Sequence, residues 1–101
     1  MLLDVSDLGA VALVAIDQGS VWVSLRSGML IHYLHDPREK VVQEVHRWNP
    51  LEEAVECLNI VRQCTLSIDL VADVVWMATS SGKVGACFAV RSRCGPAFKV
   101  F

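Results

Sequence analysis

The sequence VVWMATSSGKV at residues 74–84 repeats the pattern of SVWVSLRSGML at residues 20–30, without a gap and 54 residues further along the chain. The identical pairs at this lag are Val21 and Val75, Trp22 and Trp76, Ser27 and Ser81, and Gly28 and Gly82. Matches in apolar character extend upstream, where Ile16 aligns with Leu70 and Val14 with Ile68. A repeat of this length indicates one supersecondary unit that the chain uses twice.

Each copy has an apolar strand, a turn of small residues that ends in glycine, and a second apolar strand. We expect Trp22 and Trp76 to be buried at equivalent positions of the unit, because aromatic side chains dominate such cores. We expect Gly28 and Gly82 to end tight turns with positive φ, which glycine adopts without strain. This strand-turn-strand unit is typical of the middle hairpin of a four-stranded propeller blade.

Length and composition indicate an incomplete propeller. The chain has 101 residues, of which 53% are hydrophobic and only 20% are charged. Two blades of about 50 residues would use the whole length, whereas closed propellers have roughly four to eight blades. So small a domain has too little interior to bury this much apolar surface, so the composition favours a partner.

The predicted fold is therefore mainly β, an antiparallel β-propeller fragment of about two blades, with a first blade at about 9–47, a helical connector at about 49–63 and a second blade at about 64–101. The predicted strands are 10–16, 20–25, 29–35 and 40–46 in the first blade, and 65–70, 74–79 and 83–90 in the second. The run at 10–16 is dense enough in Val, Leu and Ile to predict a strand covered on both faces. Ala72-Asp73 is predicted as a turn.

The predicted connector carries helix signals. Asn49 is a good N-cap, Pro50 suits the first helical position, and acidic residues follow in the first turn. Apolar residues recur at helical spacing at Leu51, Ala54, Val55, Leu58 and Val61. The pattern predicts an amphipathic helix from about Pro50 to about Arg62, with Glu52, Glu53 and Glu56 on its solvated side.

Charge and hydropathy exclude several classes of partner. The formal net charge is −2 and no basic run occurs, which disfavours nucleic acid. No uninterrupted apolar run approaches the roughly 20 residues of a membrane span. Asp4 and Asp7 interrupt the apolar first 16 residues, which lack the charge layout of a signal peptide. We therefore expect a cytoplasmic protein.

No group of residues indicates catalysis, a cofactor or a metal. His32 and His35 are three apart on a predicted strand, so they face opposite sides and do not converge on one ion. Ser80-Ser81-Gly82-Lys83 lacks the upstream glycine of a phosphate-binding loop and lies between strands, which favours a hairpin turn. The four cysteines, Cys57, Cys64, Cys87 and Cys94, form no C-x-x-C pair and are interpreted as buried free thiols. We expect no enzymatic activity.

The order of several segments resembles the C-terminal WD40-like propeller of certain Rho guanine-nucleotide exchange factors. The segments are Val21-Trp22-Val23-Ser24-Leu25, a returning strand with Tyr33, a Val-x-x-Glu-Val segment ending at Val45, an interblade stretch ending near Arg62-Gln63, Cys64 to Val71, and Val75 to Gly82. The likeness covers roughly residues 19–90. The Trp-turn-Gly pattern is also similar to blades of leucine-rich-repeat kinases and of kinesin-adaptor scaffold proteins.

The resemblance implies a binding or scaffolding role, with the remaining propeller blades or another protein as partner. In that family nucleotide exchange belongs to a separate Dbl-homology domain, which no part of this chain resembles. A Rho-type GTPase is therefore expected as a partner only through a parent protein.

A second hypothesis is a self-contained α+β domain. In it, a helix from about Pro50 covers one face of a sheet that both hairpins form, and the domain dimerises as a scaffold or adaptor.

Overall fold

Two four-stranded antiparallel sheets form the fold in a computed structural model, which describes residues 3–17, 19–36, 38, 41–67, 70–89 and 97–100. The strands of the first sheet are β1 (Val11–Asp17), β2 (Ser20–Leu25), β3 (Leu30–Asp36) and β4 (Val41–Trp48). Those of the second sheet are β5 (Cys57–Ser67), β6 (Leu70–Ala78), β7 (Val84–Ala89) and β8 (Ala97–Val100). In each sheet every strand pairs with the next one along the chain. The mainly β, antiparallel class predicted from the sequence is confirmed.

The central hairpins of the two sheets have the same register. Trp22 lies opposite His32 in β2 and β3, and Trp76 lies opposite Ala86 in β6 and β7, 54 residues later. The neighbouring pairs follow the same rule, so that Val23 opposite Ile31 corresponds to Met77 opposite Gly85. The sequence repeat is thus a repeat of backbone pairing.

The two hairpin turns also have equivalent hydrogen bonds. The Leu25 amide donates to the Met29 carbonyl at 2.8 Å, and the Thr79 amide donates to the Lys83 carbonyl at 2.9 Å. Gly28 and Gly82 donate to the carbonyls of Leu25 and Thr79, at 3.0 and 3.2 Å. Their φ angles are 102° and 99°, so the predicted left-handed glycines are confirmed.

The predicted connector helix is wrong. Residues 50–53 form a bend, and β5 begins at Cys57, inside the predicted helix. The one helical element of the described residues is a 3₁₀ turn at Ser6–Leu8. The local helix signals are overridden because β6 needs a strand on the edge opposite β7, and pairing Leu58 with Met77 satisfies that edge while burying Met77 and packing the partly buried Leu58 against the core.

The upstream part of the repeat also differs from the prediction. Ile16 lies in β1, whereas Leu70 begins β6, so these two residues are not structural equivalents. The predicted turn at Ala72-Asp73 lies inside β6. The strand β5 has a bulge after Val61, where Gln63 has a φ of 51° and its amide donates to the Asp73 carboxylate at 2.9 Å. This bulge shifts the register of the edge strand β5 and leaves the pairing of β6 with β7 regular.

The main core lies between the two sheets. We call the faces that meet there the inner faces and the opposite ones the outer faces. From the first sheet the core takes Leu13, Ala15, Trp22, Leu30 and Trp48, and from the second Leu58, Ile60, Val75, Met77 and Cys87. The bend between β4 and β5 closes one end of this core, because Leu51 and Val55 are buried within it. Alternating strand residues thus face a common interior, as expected of packed sheets.

This arrangement contradicts the α+β hypothesis. That fold requires a helix after Pro50 and one sheet shared by both hairpins, whereas the hairpins belong to separate sheets. Within the part of the chain that the structure describes, no helix is long and apolar enough to cross a membrane.

Candidate interaction surfaces

Trp22 is a core residue of the first sheet, with 2% of its surface exposed. Its indole stacks on the His32 ring, with centroids 3.9 Å apart and planes inclined by 5°. Trp48 meets the same indole edge-on at 6.1 Å. The predicted burial of Trp22 is therefore correct, and its ring is held by neighbours on β3 and β4.

His32 is adapted to this apolar setting. Burial, together with the nearby charge of His46, lowers the pKa of His32 from 6.5 to about 4. Its Nε2 atom lies 3.2 Å from the hydroxyl oxygen of Ser20. At neutral pH the ring is therefore uncharged and packs as a flat, mainly apolar surface against Trp22.

The two histidines considered as ligands lie on opposite faces of β3. His32 is on the inner face beside Trp22, whereas His35 lines a groove on the outer face. Among the described residues, no three His, Cys, Asp or Glu side chains are grouped so that they could hold a metal ion.

Trp76 differs from Trp22 in burial, and its predicted core position is wrong. The side chain is on the outer face of β6, and 40% of its surface is exposed. The inner face of the second sheet instead carries Val75 and Met77, which are 1% and 2% exposed. The second sheet therefore buries the residues on either side of its tryptophan.

Charged and polar contacts fasten the bend between the sheets to the turn of the second hairpin. Lys83 Nζ donates to the Leu51 carbonyl at 3.1 Å and lies 3.2 Å from the Glu53 carboxylate. The Ser81 hydroxyl donates to the same carboxylate at 2.6 Å, and these bonds lower the pKa of Glu53. The segment Ser80-Ser81-Gly82-Lys83 is thus a hairpin turn, as predicted, and it binds the bend between the two sheets at Leu51 and Glu53.

Further contacts hold the two sheets in one relative position. The Val55 amide donates to the buried Ser24 hydroxyl at 3.0 Å. Arg62 Nε on β5 donates to the Asp17 carboxylate on β1 at 2.8 Å. These bonds fix which inner face meets which, so the outer faces are defined as well.

The outer face of the first sheet is an apolar surface with a groove of about 330 Å³. Leu3, Val5, Val11, Val14, Ile16, Val21, Val23, His35 and Val42 line it. Ile16 is 75% exposed and Val14 is 50% exposed. The sequence predicts β1 as covered on both faces, which is wrong for these residues within the described structure.

The outer face of the second sheet is also apolar. Val61, Trp76 and Val84 are each about two-fifths exposed there, at 42%, 40% and 39%. The register places them on one face, because Val61 is opposite Val74, two residues before Trp76, and Val84 is opposite Ala78, two residues after it. The protein therefore has exposed apolar side chains on both outer faces.

The cysteines differ in exposure. Cys87 is fully buried on the inner face, and burial raises the pKa of its thiol to about 12. Cys57 is exposed and Cys64 is partly exposed, so their predicted burial is wrong. These three have free thiols, whereas Cys94 lies outside the described residues.

The sequence indicated the repeat positions and an excess of apolar surface, but not which side chains are exposed on the two outer faces. Trp22, Gly28, Trp76 and Gly82 all belong to the repeated hairpins, as the pairing and the turn bonds show. The available signal was apolar residues at every position of a strand, as in Val14, Ala15 and Ile16. Such a run indicates two apolar faces but not whether each is covered.

No family model matches this chain, and neither the curated proteins nor the solved structures contain a match.

Proposed function

We propose that this chain is a non-catalytic protein–protein interaction module, formed by two blades of a WD40-like propeller. The observation that supports this most directly is the repeated hairpin. Two four-stranded meanders stack inner face to inner face and expose apolar side chains on both outer faces. Adjacent propeller blades are such meanders, and exposed apolar patches mark interaction sites.

The proposed parent protein is an exchange factor for Rho-type GTPases, and the proposed location is the cytoplasm. The support is the segment likeness around Trp22 and Trp76. In the exchange factors that the chain resembles, the propeller is a binding domain and exchange takes place elsewhere. The chain would therefore bind proteins and reach a GTPase only through its parent.

Nucleotide-release kinetics test the catalytic part of the proposal. The purified chain is added to a panel of Rho-type GTPases loaded with a fluorescent nucleotide, and release is followed over time. We expect the uncatalysed rate even at stoichiometric protein. Faster release would overturn the non-catalytic assignment.

Affinity capture tests the binding part. The immobilised chain is exposed to a cell extract beside a double variant, Ile16→Glu/Trp76→Glu, which adds a charge to each outer face. Val45→Glu is the matched control, because Val45 is 50% exposed on β4 and does not line the groove. We expect Rho-pathway proteins to be retained by the wild type and the control and lost with the double variant. Equal retention by all three would contradict binding through these faces.

A further inference from the structure

The groove on the outer face of the first sheet has a buried floor and a wall that the N-terminal segment forms. The floor includes Val23, which is 2% exposed within a cluster that also contains Leu25 and Ile31. Leu3 and Val5 line the groove from the N-terminal segment, and Val5 packs against that cluster. Because the segment crosses this face, a second sheet cannot lie flat on it. The groove therefore suits a narrow occupant.

The opposite wall is β1, which sets the length of the groove. Val11, Val14 and Ile16 line it, and the five steps from Val11 to Ile16 span about 16 Å at about 3.3 Å per residue. The volume of about 330 Å³ divided by this length gives a cross-section of roughly 20 Å², or about 4.5 Å across. That width is close to the spacing of neighbouring strands, about 4.8 Å. The groove is thus wide enough for one extended chain.

The lining of the groove is aliphatic except for His35. The His35 amide donates to the Gly19 carbonyl at 2.7 Å, so this residue lies at the Ile16 end of the groove and not at the Val11 end. Its imidazole makes no hydrogen bond to the other described residues. An apolar pocket with few polar groups binds a mainly apolar ligand and uses those groups to orient it.

We propose that this groove binds a medium-chain aliphatic carboxylate, with the alkyl chain between the N-terminal segment and β1 and the carboxylate at His35. A cavity of about 150 Å³ holds one benzene, so about 330 Å³ takes roughly 12 non-hydrogen atoms, as in decanoate. The imidazole offers an N–H donor, and a hydrogen bond to an ionised acceptor is stronger than one to a neutral acceptor. The site goes beyond the proposed function and does not rest on it.

Isothermal titration of the full chain with decanoate tests the site. We expect one saturable site with a dissociation constant of roughly 100 µM, as a ligand of about 12 atoms reaches in a partly open groove. A series of carboxylates measures the length of the site. Affinity should rise roughly two- to fourfold per carbon from about six to about ten carbons, because each added CH₂ enters the groove. Beyond about 12 carbons it should level off, because the chain outgrows the available volume.

Charge at the groove provides the first matched pair of variants. Ile16→Glu should weaken decanoate binding roughly tenfold or more, because it places a second carboxylate beside the bound one. Ile16 is 75% exposed, so the fold tolerates this change. Val45→Glu adds the same charge at a residue that is 50% exposed and does not line the groove, and it should bind as the wild type does.

The polar end of the groove provides the second pair. His35→Leu removes the donor and should weaken decanoate binding roughly fivefold or more. His35→Gln should keep most of the affinity, because the amide N–H also donates. Circular dichroism spectra that match the wild type establish that each variant is folded.

Co-sedimentation with phosphatidylcholine vesicles distinguishes a free carboxylate from the acyl chain of a membrane lipid. We expect the protein to stay in the supernatant, because the groove has room for a chain of about ten carbons and one hydrogen-bonded end group. Vesicle binding that Ile16→Glu abolishes, without binding of decanoate, would overturn the proposal in favour of a lipid surface.

Three further results would contradict the proposal. One is the absence of saturable binding at roughly 5 mM decanoate, far above the expected dissociation constant. Another is equal weakening by Ile16→Glu and Val45→Glu, which would indicate a general effect of charge. The third is an affinity that keeps rising beyond about 12 carbons, as in non-specific adsorption. Failure of protein capture would contradict the proposed function alone, so the two failures are distinguishable.

Discussion

Trp22 and Trp76 occupy the same position in two hairpins with the same register and the same turn hydrogen bonds, yet they are 2% and 40% exposed. The difference comes from the neighbouring sheet, which covers the tryptophan face of the first sheet. In a repeat structure much of the stability comes from interfaces between neighbouring units. The comparison shows that burial belongs to the interface and not to the repeat position.

The two hairpins differ further in the residues around each tryptophan. His32 stacks on Trp22, whereas Ala86 takes that position beside Trp76. Ser24 binds the Val55 amide, whereas its equivalent is Ala78. The first hairpin therefore has a set of contacts that the second lacks, and each contact can be tested against its counterpart.

The largest expected contrast is between alanine substitutions of the two tryptophans. Trp22→Ala should lower the free energy of unfolding by about 3 to 5 kcal/mol, because it leaves a cavity in the shared core. Trp76→Ala should cost about 2 kcal/mol, because two-fifths of the residue is already in water and no closed cavity forms. Urea unfolding followed by circular dichroism at low protein concentration measures both. Equal losses would contradict the assignment of separate inner and outer faces.

A smaller contrast is expected between the turn glycines. Valine at either position is strained by the positive φ, at about 1 to 2 kcal/mol. Gly28→Val should cost about 1 kcal/mol more than Gly82→Val, since an added Cβ lies 2.8 Å from Asn49 Oδ1, whereas nothing lies within 4 Å of one at Gly82. The comparison is made by thermal and urea unfolding.

Asn49→Ala provides the control for this pair. In that background Gly28→Val should cost the same as Gly82→Val, because the close contact is gone. A difference that persists without the Asn49 side chain would show that it arises from the turn itself.

Ser24→Ala makes the first hairpin resemble the second at this position. We expect a loss of about 1 kcal/mol, because the buried Val55 amide loses its acceptor. Ser27→Ala in the adjacent turn is the exposed control and should change stability little. Amide hydrogen exchange at Val55 should become faster in the first variant only. Unchanged exchange would indicate that the bond does not protect this amide.

The smallest expected effect is a pH dependence of the stability, which arises from His32 in the first sheet. Its folded pKa of about 4 lies below the ordinary 6.5, so between these values the unfolded chain binds a proton that the folded chain excludes. Stability is complete above pH 6.5 and is lost as the pH falls towards 4. After discounting for partial exposure, the loss is about 1 kcal/mol.

Urea unfolding at neutral pH and at about pH 4.5 measures this loss, within the window set by linkage. His32→Phe should keep the ring stack and reduce the pH dependence of the unfolding free energy. His35→Gln, on the outer face, should leave that pH dependence unchanged. If the unfolding free energy of His32→Phe depended on pH as that of the wild type does, the dependence would arise from other groups.

The fold was predictable where short-range rules are sufficient. Gly28 and Gly82 end turns with positive φ because few other residues tolerate that conformation. The register follows from the turn and from alternating side chains, so the hairpins at Trp22 and Trp76 were recognisable. The strand β5 was not, because Asn49, Pro50 and the acids after them favour a helix locally. Its pairing with β6 outweighs those preferences only in the folded chain.

By itself, the sequence determined two equivalent hairpins, their turns and the surplus of apolar side chains, since these depend on neighbours within about ten residues. The tertiary structure decided which strand completes the second sheet, which tryptophan is buried and where the surplus is exposed. Contacts such as that between Arg62 and Asp17 join residues 45 positions apart. Such contacts depend on how the sheets stack, and one face of each sheet can be covered only when the other sheet is in place.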